Sequence, residues 1–337
     1  MKIAILTPTY SPFSGIDRVV ESEAEEYCKA GDDVTIFALS AEMKPQSAKL
    51  EVIGMPKNPA VARLYRLLFF LDIPKLVKYV KMLKGFDLVI SHFYPMNVLA
   101  SLSKNENKTK YLYYDAGIAY PRLFPSLAER VYMHMFWYFN KLTVRNADSA
   151  ISISQFLSDE LKKETGIQSK VVYVEIDRKR FNEHIDHEGI ERIKKLHNLT
   201  GPVCLYVGRI SPHKGIHLLI KAFNKVLEEI PTAQLVIVGK PTFDSYSKEL
   251  NKLAAKNVIF AGFVKDEELP YYYGACTVYA TGSLWEGFDM PVVEAQGCGK
   301  PVVAFDCCSH PEVVKNGLLV KPEDISGFAL ALERYLK

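Results

Sequence analysis

The sequence predicts an α/β fold made of two parallel-sheet domains, and three observations carry that expectation. Short apolar, β-branched runs such as KIAIL (residues 2–6) and VCLYV (residues 203–207) recur along the chain, each followed by a loop and then by helical spacing of apolar residues. Alternation of this kind sets parallel strands side by side with helices on both faces. The second observation is an internal echo. Ser11-Pro12-x-x-Gly15-Ile16 matches Ser211-Pro212-x-x-Gly215-Ile216, and both stretches lie between an apolar strand and a helix. The third is length, since 337 residues can form two domains of ordinary size, each burying its own core.

In the first half, residues 2–6 read as the opening strand and residues 16–30 as the helix after it, with Gly15 at the turn between them. No G-x-G-x-x-G accompanies this unit, so a dinucleotide-dependent reading loses support. Residues 34–39, 50–55, 86–91, 109–114 and 150–153 read as further strands. Residues 59–84 combine aliphatic side chains with Arg63, Arg66, Lys75, Lys78, Lys81 and Lys84, and Pro74 divides them into two helices. Basic amphipathic helices suit an anionic membrane surface. They are also what an ordinary helix packed on a sheet looks like. Residues 131–139, VYMHMFWYF, are a second candidate for membrane or acceptor contact, with a place in the core as the plainer reading. His92 and His134 read as structural.

Residues 178–200 are charged and polar and mark the domain boundary, giving an N-terminal domain of residues 1–180 and a C-terminal domain of residues 181–337. Strand runs then follow at residues 203–207, 235–238, 258–260, 277–280, 301–304 and 318–320.

Composition narrows the function. A hydrophobic content of 48% with 24% charged residues belongs to a soluble globular protein, and a net charge of +3 argues against a dedicated nucleic-acid binder. Cys28, Cys204, Cys276, Cys298, Cys307 and Cys308 show no metal-ligand spacing and read as reduced thiols. The apolar start is too short for a signal peptide, and no run reaches the roughly 18 residues of a membrane span. The expectation is a cytoplasmic protein, with the inner face of the membrane as the place where its basic helices could dock.

The chemistry concentrates in residues 281–301, TGSLWEGFDMPVVEAQGCGKP, where Glu286 and Glu294 stand with seven residues between them across a helix start. Asp289 suits the N-cap, Pro291 the first turn, and residues 297–301 stop the helix. A helix N-terminus favours an anion such as phosphate, and Glu286 sits beside it. Glu294 has apolar neighbours, so once buried it needs a partner, which a ribose diol or a lysine could supply. Upstream, the loop Gly208-Arg209-Ile210-Ser211-Pro212-His213-Lys214-Gly215 follows a buried strand, at the end where ligands bind in open α/β sheets. Arg209 and Lys214 there form a plausible diphosphate clamp.

GRISPHKG, EGFDMPVVEAQGCGKPVVA and HPEVV (residues 310–314), in this order, resemble the retaining glycosyltransferases of family 4. The resemblance implies the GT-B fold, with two Rossmann-like parallel-sheet domains facing a central cleft. It implies a transferase moving a sugar from a nucleotide-diphosphate sugar, with no further cofactor, to a glycan or lipid-linked acceptor. By the same resemblance Arg209 and Lys214 hold the donor diphosphate, together with the segment Gly287, Phe288, Asp289, Met290 and Pro291. Glu286 contacts the transferred sugar and Glu294 the ribose, while Gly239, Phe263 and Val264 line the base pocket.

Gly15 stands where the family has a glycine-rich turn facing the donor phosphates, here reduced to Ser14-Gly15. In YLYYDAGIAYPR (residues 111–122) the family carries a histidine or aspartate near the transferred sugar. One register puts Asp115 there and another Tyr114, and Asp115 is preferred because a carboxylate can stabilise positive charge or accept a proton. No Asp-x-Asp pair is present, so metal-independent transfer is expected. Family members commonly continue into helices beyond the point where this sequence stops, which suggests looser closure or a completing partner. Two other classes fit the same residues. One is a sugar-nucleotide epimerase, and the other a non-catalytic partner that binds nucleotide sugar.

Overall fold

The computed structural model describes residues 1–11, 15–124 and 126–337. The chain divides into two compact units, residues 1–121 with 126–174, and residues 122–125 with 175–337.

Unit 1 runs β1 (Lys2–Tyr10), α1 (Gly15–Lys29), β2 (Asp33–Ala41), β3 (Lys49–Val52), α2 (Pro59–Leu67), α3 (Ile73–Met82), β4 (Leu88–Ser91) and α4 (Met96–Asn107). It continues through β5 (Lys110–Asp115), α5 (Leu127–Val144), β6 (Ser149–Ser152), α6 (Gln155–Thr165) and β7 (Ser169–Val171). Its seven strands lie in the order β3-β2-β1-β4-β5-β6-β7, every pair parallel. Leu6, Phe37, Leu39, Phe69, Tyr94, Leu99 and Tyr111 fill the core. The first strand is longer than its apolar run suggests, because Thr7 and Thr9 keep pairing with β2 up to Tyr10.

Pro74 falls in the first turn of α3, where its missing N–H costs nothing, and the division of residues 59–84 is made by a short 3₁₀ turn at Phe69–Leu71. The aromatic run in α5 is only half core. Phe136 and Phe139 pack inward, whereas Leu127, Val131, Met135, Tyr138 and Leu142 are exposed.

Unit 2 runs α7 (His187–Leu196), β8 (Val203–Val207), α8 (Ile216–Glu229), β9 (Gln234–Val238), α9 (Asp244–Leu253), β10 (Val258–Gly262) and α10 (Leu269–Ala275). It ends with β11 (Val278–Thr281), α11 (Met290–Gly297), β12 (Val302–Phe305), α12 (His310–Val313), β13 (Gly317–Val320) and α13 (Ile325–Leu336). The six strands lie in the order β10-β9-β8-β11-β12-β13, again all parallel. All five residues of β8 are buried, as expected for a strand covered on both faces. The stretch read as a polar boundary contains α7, capped by Asp186, whose side chain accepts from the Gly189 N–H at 3.1 Å. Its charges are a solvated face, and Ile193 on the other face is buried.

Both sheets reverse direction once. Chain order runs one way from β8 through β9 to β10, then restarts on the other side of β8 with β11. Loops leaving β8 and β11 therefore diverge at the carboxyl end of the sheet, and the gap between them is where open α/β sheets receive ligands. In unit 1 the equivalent reversal lies between β1 and β4.

Candidate functional site

In unit 2 two backbone contacts that only glycine permits draw the loop after β8 towards its neighbours, one to the loop after β11 and one to the turn after β9. Gly215 has φ +58°, and a Cβ there would stand 1.8 Å from the Gly282 carbonyl oxygen. Gly239 has φ +150°, and its Cβ would meet the Gly208 oxygen at 1.8 Å. Ladder bonding continues past the strands, from the Gly208 N–H to the Val238 oxygen and from the Ile210 N–H to the Lys240 oxygen, both 2.9 Å. The Leu284 N–H reaches the His213 oxygen at 2.9 Å and ties the two loops directly.

These ties bring Lys214 to Glu286. The Lys214 Nζ donates to Glu286 Oε1 at 2.5 Å, and the Ser283 hydroxyl donates to the same oxygen at 2.7 Å. Both side chains are largely buried, 17% exposed for Lys214 and 8% for Glu286. An ammonium carries three N–H donors, so two remain on Lys214 for an anion. Arg209 is exposed at the rim. His213, between them, is held neutral: burial pushes its pKa down to about 3, aided by the nearby Lys214 charge.

Asp289 departs from the capping role read in the sequence. It occupies the N-cap position of α11, but at φ 66° and ψ 71°, and its side chain makes no cap hydrogen bond. Its Oδ2 instead faces the His310 Nε2 at 3.1 Å. A left-handed aspartate is unusual enough to mark a constrained site. His310 Nδ1 lies 2.8 Å from the Phe305 carbonyl oxygen, which can only accept, so Nδ1 carries a proton, and an ionised Asp289 facing Nε2 favours a second one there. Burial alone would lower the His310 pKa, but the Asp289 carboxylate outweighs it and leaves it raised. Burial likewise pushes Asp289 up, and the His310 hydrogen bond and Lys214 charge bring it below the ordinary range.

Glu294, one turn into α11, is 1% exposed and accepts from the Tyr273 hydroxyl at 2.8 Å. Phe288 is buried, and Pro291 stands in the first turn of α11. Gly287 and Met290 flank Phe288 and Asp289 in the same connection. Gly239 and the Phe263-Val264 pair follow the carboxyl ends of β9 and β10, where the Lys240 ammonium lies 4.5 Å from the centre of the exposed Phe263 ring. The sequence reading quoted His310 only as part of a motif and passed over Ser283, Ser309 and Tyr273. Ser309 fixes the site from behind, its hydroxyl donating to the Glu286 carbonyl oxygen at 3.2 Å.

In unit 1, Gly15 opens α1, and its partner Ser14 lies outside the described residues. Asp17 Oδ2 accepts from the Ser11 N–H at 2.8 Å and the Ser11 hydroxyl at 2.9 Å. Asp115, the last residue of β5, is buried and accepts from the Gly117 N–H at 3.0 Å and the Ser152 hydroxyl at 3.4 Å. Burial pushes its carboxyl to about 7 against those hydrogen bonds. Tyr114, the other register, stacks on His92 with ring centres 4.6 Å apart, and His92 Nε2 lies 2.8 Å from Glu23 Oε2.

Residues 188–337 match the family described as glycosyl transferases group 1, and residues 13–178 the family described as glycosyltransferase family 4. Spore coat protein SA of Bacillus subtilis is 29% identical over 44% of this chain and 43% of its own length. O-antigen chain mannosyltransferase B of Escherichia coli is 33% identical over 37% of this chain and 34% of its own. The matched stretches thus span less than half the length of these relatives. Among solved structures, Anabaena HepE in complex with UDP and glucose superposes with a TM-score of 0.81 at 22% identity, covering 99% of this chain and 89% of that one. The architecture, two parallel-sheet Rossmann-like halves, is that of the GT-B fold.

Proposed function

The chain belongs to the glycosyltransferases of family 4, the glycosyl transferases group 1, and from that premise we propose that it moves a hexosyl group from a nucleotide-diphosphate sugar to an acceptor hydroxyl. The proposal includes retention of anomeric configuration and metal independence. The observation that carries it is the Lys214–Glu286 pair at the reversal point of the second sheet, where a cation with two spare donors and a carboxylate share one crevice. The mannosyltransferase relative and the UDP- and glucose-bound neighbour support a hexose donor.

Lys214 and Arg209 take the diphosphate, aided by the N–H groups around Gly287 and Met290 at the start of α11. As the glycosidic bond breaks, negative charge grows on the leaving phosphate, and fixed cations there stabilise it without reorganising. Glu286, held by Ser283 and Lys214, orients the transferred sugar. Glu294 accepts from the ribose diol, and Gly239, Phe263 and Val264 receive the base. Gly15 approaches the donor phosphates. Departure of the diphosphate on the face from which the acceptor arrives retains configuration. Asp115, basic near neutrality, takes the acceptor proton.

For the acceptor we propose a glycan or lipid-linked glycan reached at an anionic membrane. Support comes from the apolar residues that α5, α2 and α3 leave exposed, among them Leu127, Val131, Leu64 and Ile73, amid Arg63, Lys78 and Lys81. No described helix is long and apolar enough to cross a membrane.

The test is a panel of nucleotide sugars incubated with and without glycan acceptors, followed by release of nucleoside diphosphate and by product anomer. Transfer with retention that persists in a chelator supports the proposal. Epimerised donor in the absence of acceptor, or donor binding with no turnover on any acceptor, overturns it.

A further inference from the structure

None of the roles above uses His310 or accounts for Asp289, a carboxylate placed where a diphosphate is proposed to bind. Asp289 stands at the head of α11, among N–H groups that favour an anion, yet it brings a negative charge of its own. Its side chain is 2% exposed, and it lies in the same short connection as Glu286. Lys214 serves both, since its ammonium is bonded to Glu286 and its charge also acts on Asp289. Two carboxylates against one ammonium would leave this buried wall negative, and the diphosphate adds more negative charge to it. The balance calls for a second positive charge.

The hydrogen bonds of His310 supply it. Its ring is fully buried, and the Phe305 carbonyl oxygen, 2.8 Å from Nδ1, accepts only, so Nδ1 keeps its proton. Nε2 then faces Asp289 Oδ2 at 3.1 Å. Two lone pairs at that distance would repel, so one proton lies between them, carried by either atom. With that proton the pair as a whole is uncharged. Without it, the pair is a buried anion. The backbone fits this tether better than a cap, because Asp289 is left-handed, φ 66° and ψ 71°, and makes no side-chain bond to the helix it precedes. Ser309, next in sequence to His310, donates to the Glu286 carbonyl oxygen at 3.2 Å, so one turn grips both acidic residues.

We propose that His310 is a positioning residue of the donor site, holding with Asp289 a shared proton that keeps the wall of the diphosphate crevice free of net negative charge. The inference rests on the donor reading above. When the proton is lost, the freed Asp289 charge competes with the diphosphate for Lys214, and donor affinity falls. The direction with pH follows from this. Affinity is full while the pair holds its proton and is lost as pH rises through the His310 pKa; burial lowers that pKa, but Asp289 outweighs burial and leaves it above the usual 6.5. Two other titratable groups face the ring, Glu286 from the loop after β11 and Cys308 from its own turn, and Lys214 acts on it through Asp289.

The experiment measures binding of UDP-glucose and GDP-mannose to the full chain from about pH 6 to 8.5, where a pyrophosphate diester has no proton to lose, with urea midpoints in parallel. The parent should lose affinity towards the alkaline end. His310→Gln keeps a donor for Asp289 and removes the titrating ring, so affinity at neutral pH should fall about tenfold and its pH dependence should flatten. Adding Asp289→Asn removes the stranded charge, and the double variant should bind more tightly than His310→Gln alone, a reversal that lost packing does not produce. A parent affinity that stays level across the range, a His310→Gln that binds as the parent does, or a double variant weaker than His310→Gln overturns the proposal. Should a variant fail to fold, the pH course of the parent decides by itself. If the parent binds neither nucleotide sugar, the donor reading fails and this role falls with it, whereas the urea midpoints of the single and double variants still decide whether Asp289 and His310 are coupled.

Discussion

Lys214 and Glu286 are each other's main electrostatic partner within a largely dry pocket, so removing one strands the other. Loss of one member of such a pair costs about 3 to 5 kcal/mol when burial is complete, and less here because Lys214 keeps some water contact. Lys214→Ala should therefore lower the urea midpoint and also cut donor turnover by a factor of about 10² to 10³. Lys214→Arg separates the two effects, keeping charge and stability while misplacing the donor contacts; a fully active Lys214→Ala would remove this residue from the proposal.

Asp115 titrates in the opposite sense from a salt-bridged carboxylate. Its folded-state pKa, about 7, lies above the ordinary 3.8, so the native chain holds this proton more tightly than the unfolded one. The stabilisation is complete below 3.8 and disappears as pH rises through about 7, at most roughly 4 kcal/mol in all. Asp115→Asn keeps an acceptor for the Gly117 N–H and removes the titration. Its urea midpoint should exceed that of the parent at about pH 8.5 and lose that advantage by about pH 5. Loss of the acid limb of the rate profile, the rise in activity through about pH 7, in the same variant would tie this carboxyl to proton transfer.

At the scale of elements, most of the second domain was legible because its strands are short and apolar, with the central β8, β11 and β12 buried to the residue. The start and stop of α11 were legible for the same local reason, through Pro291 and Gly297. What escaped was set by tertiary contact. Asp289 has the residue type of a cap, yet a buried imidazolium 21 positions away claims its carboxylate, and no local pattern announces that. Likewise α7 hides in a charged stretch because only one face of it is buried. The aromatic run of α5 misleads because hydrophobicity reports what could be buried, and not what is.

The glycines joining these elements support a sharper expectation. Gly239→Ala places a methyl group against the Gly208 carbonyl at a backbone angle that L-residues avoid, so the Arg209 loop must retreat. The donor KM should rise while kcat, set largely by Glu286 in the loop after β11 on the far side of β8 from Gly239, changes much less. Equal losses in both constants would show that the two loops move as one body.

For the whole molecule, net charge misleads. A total of +3 suggests no strong preference for anionic surfaces, yet charge and apolar area in unit 1 are unevenly placed. On α5 the exposed residues Leu127, Val131, Met135, Tyr138 and Leu142 recur at spacings of three and four, the repeat of one helical face. This face adjoins α2, where the Arg63 guanidinium lies 4.6 Å from the Tyr132 ring centre and Val61 and Leu64 are exposed. A contiguous apolar face rimmed by cations binds by two additive terms, insertion of side chains among acyl chains and attraction to lipid headgroups. The two respond to different conditions, since salt screens the second and leaves the first. Co-sedimentation with phosphatidylglycerol-containing vesicles should therefore fall steeply as salt is raised, and binding to neutral phosphatidylcholine vesicles should be weak throughout. Leu127→Ser with Val131→Ser should weaken binding at every salt concentration, while Lys78→Glu with Lys81→Glu should flatten the salt dependence. If the serine pair binds as the parent does, the exposed face of α5 does not enter the bilayer, and the lipid-linked acceptor loses its structural support.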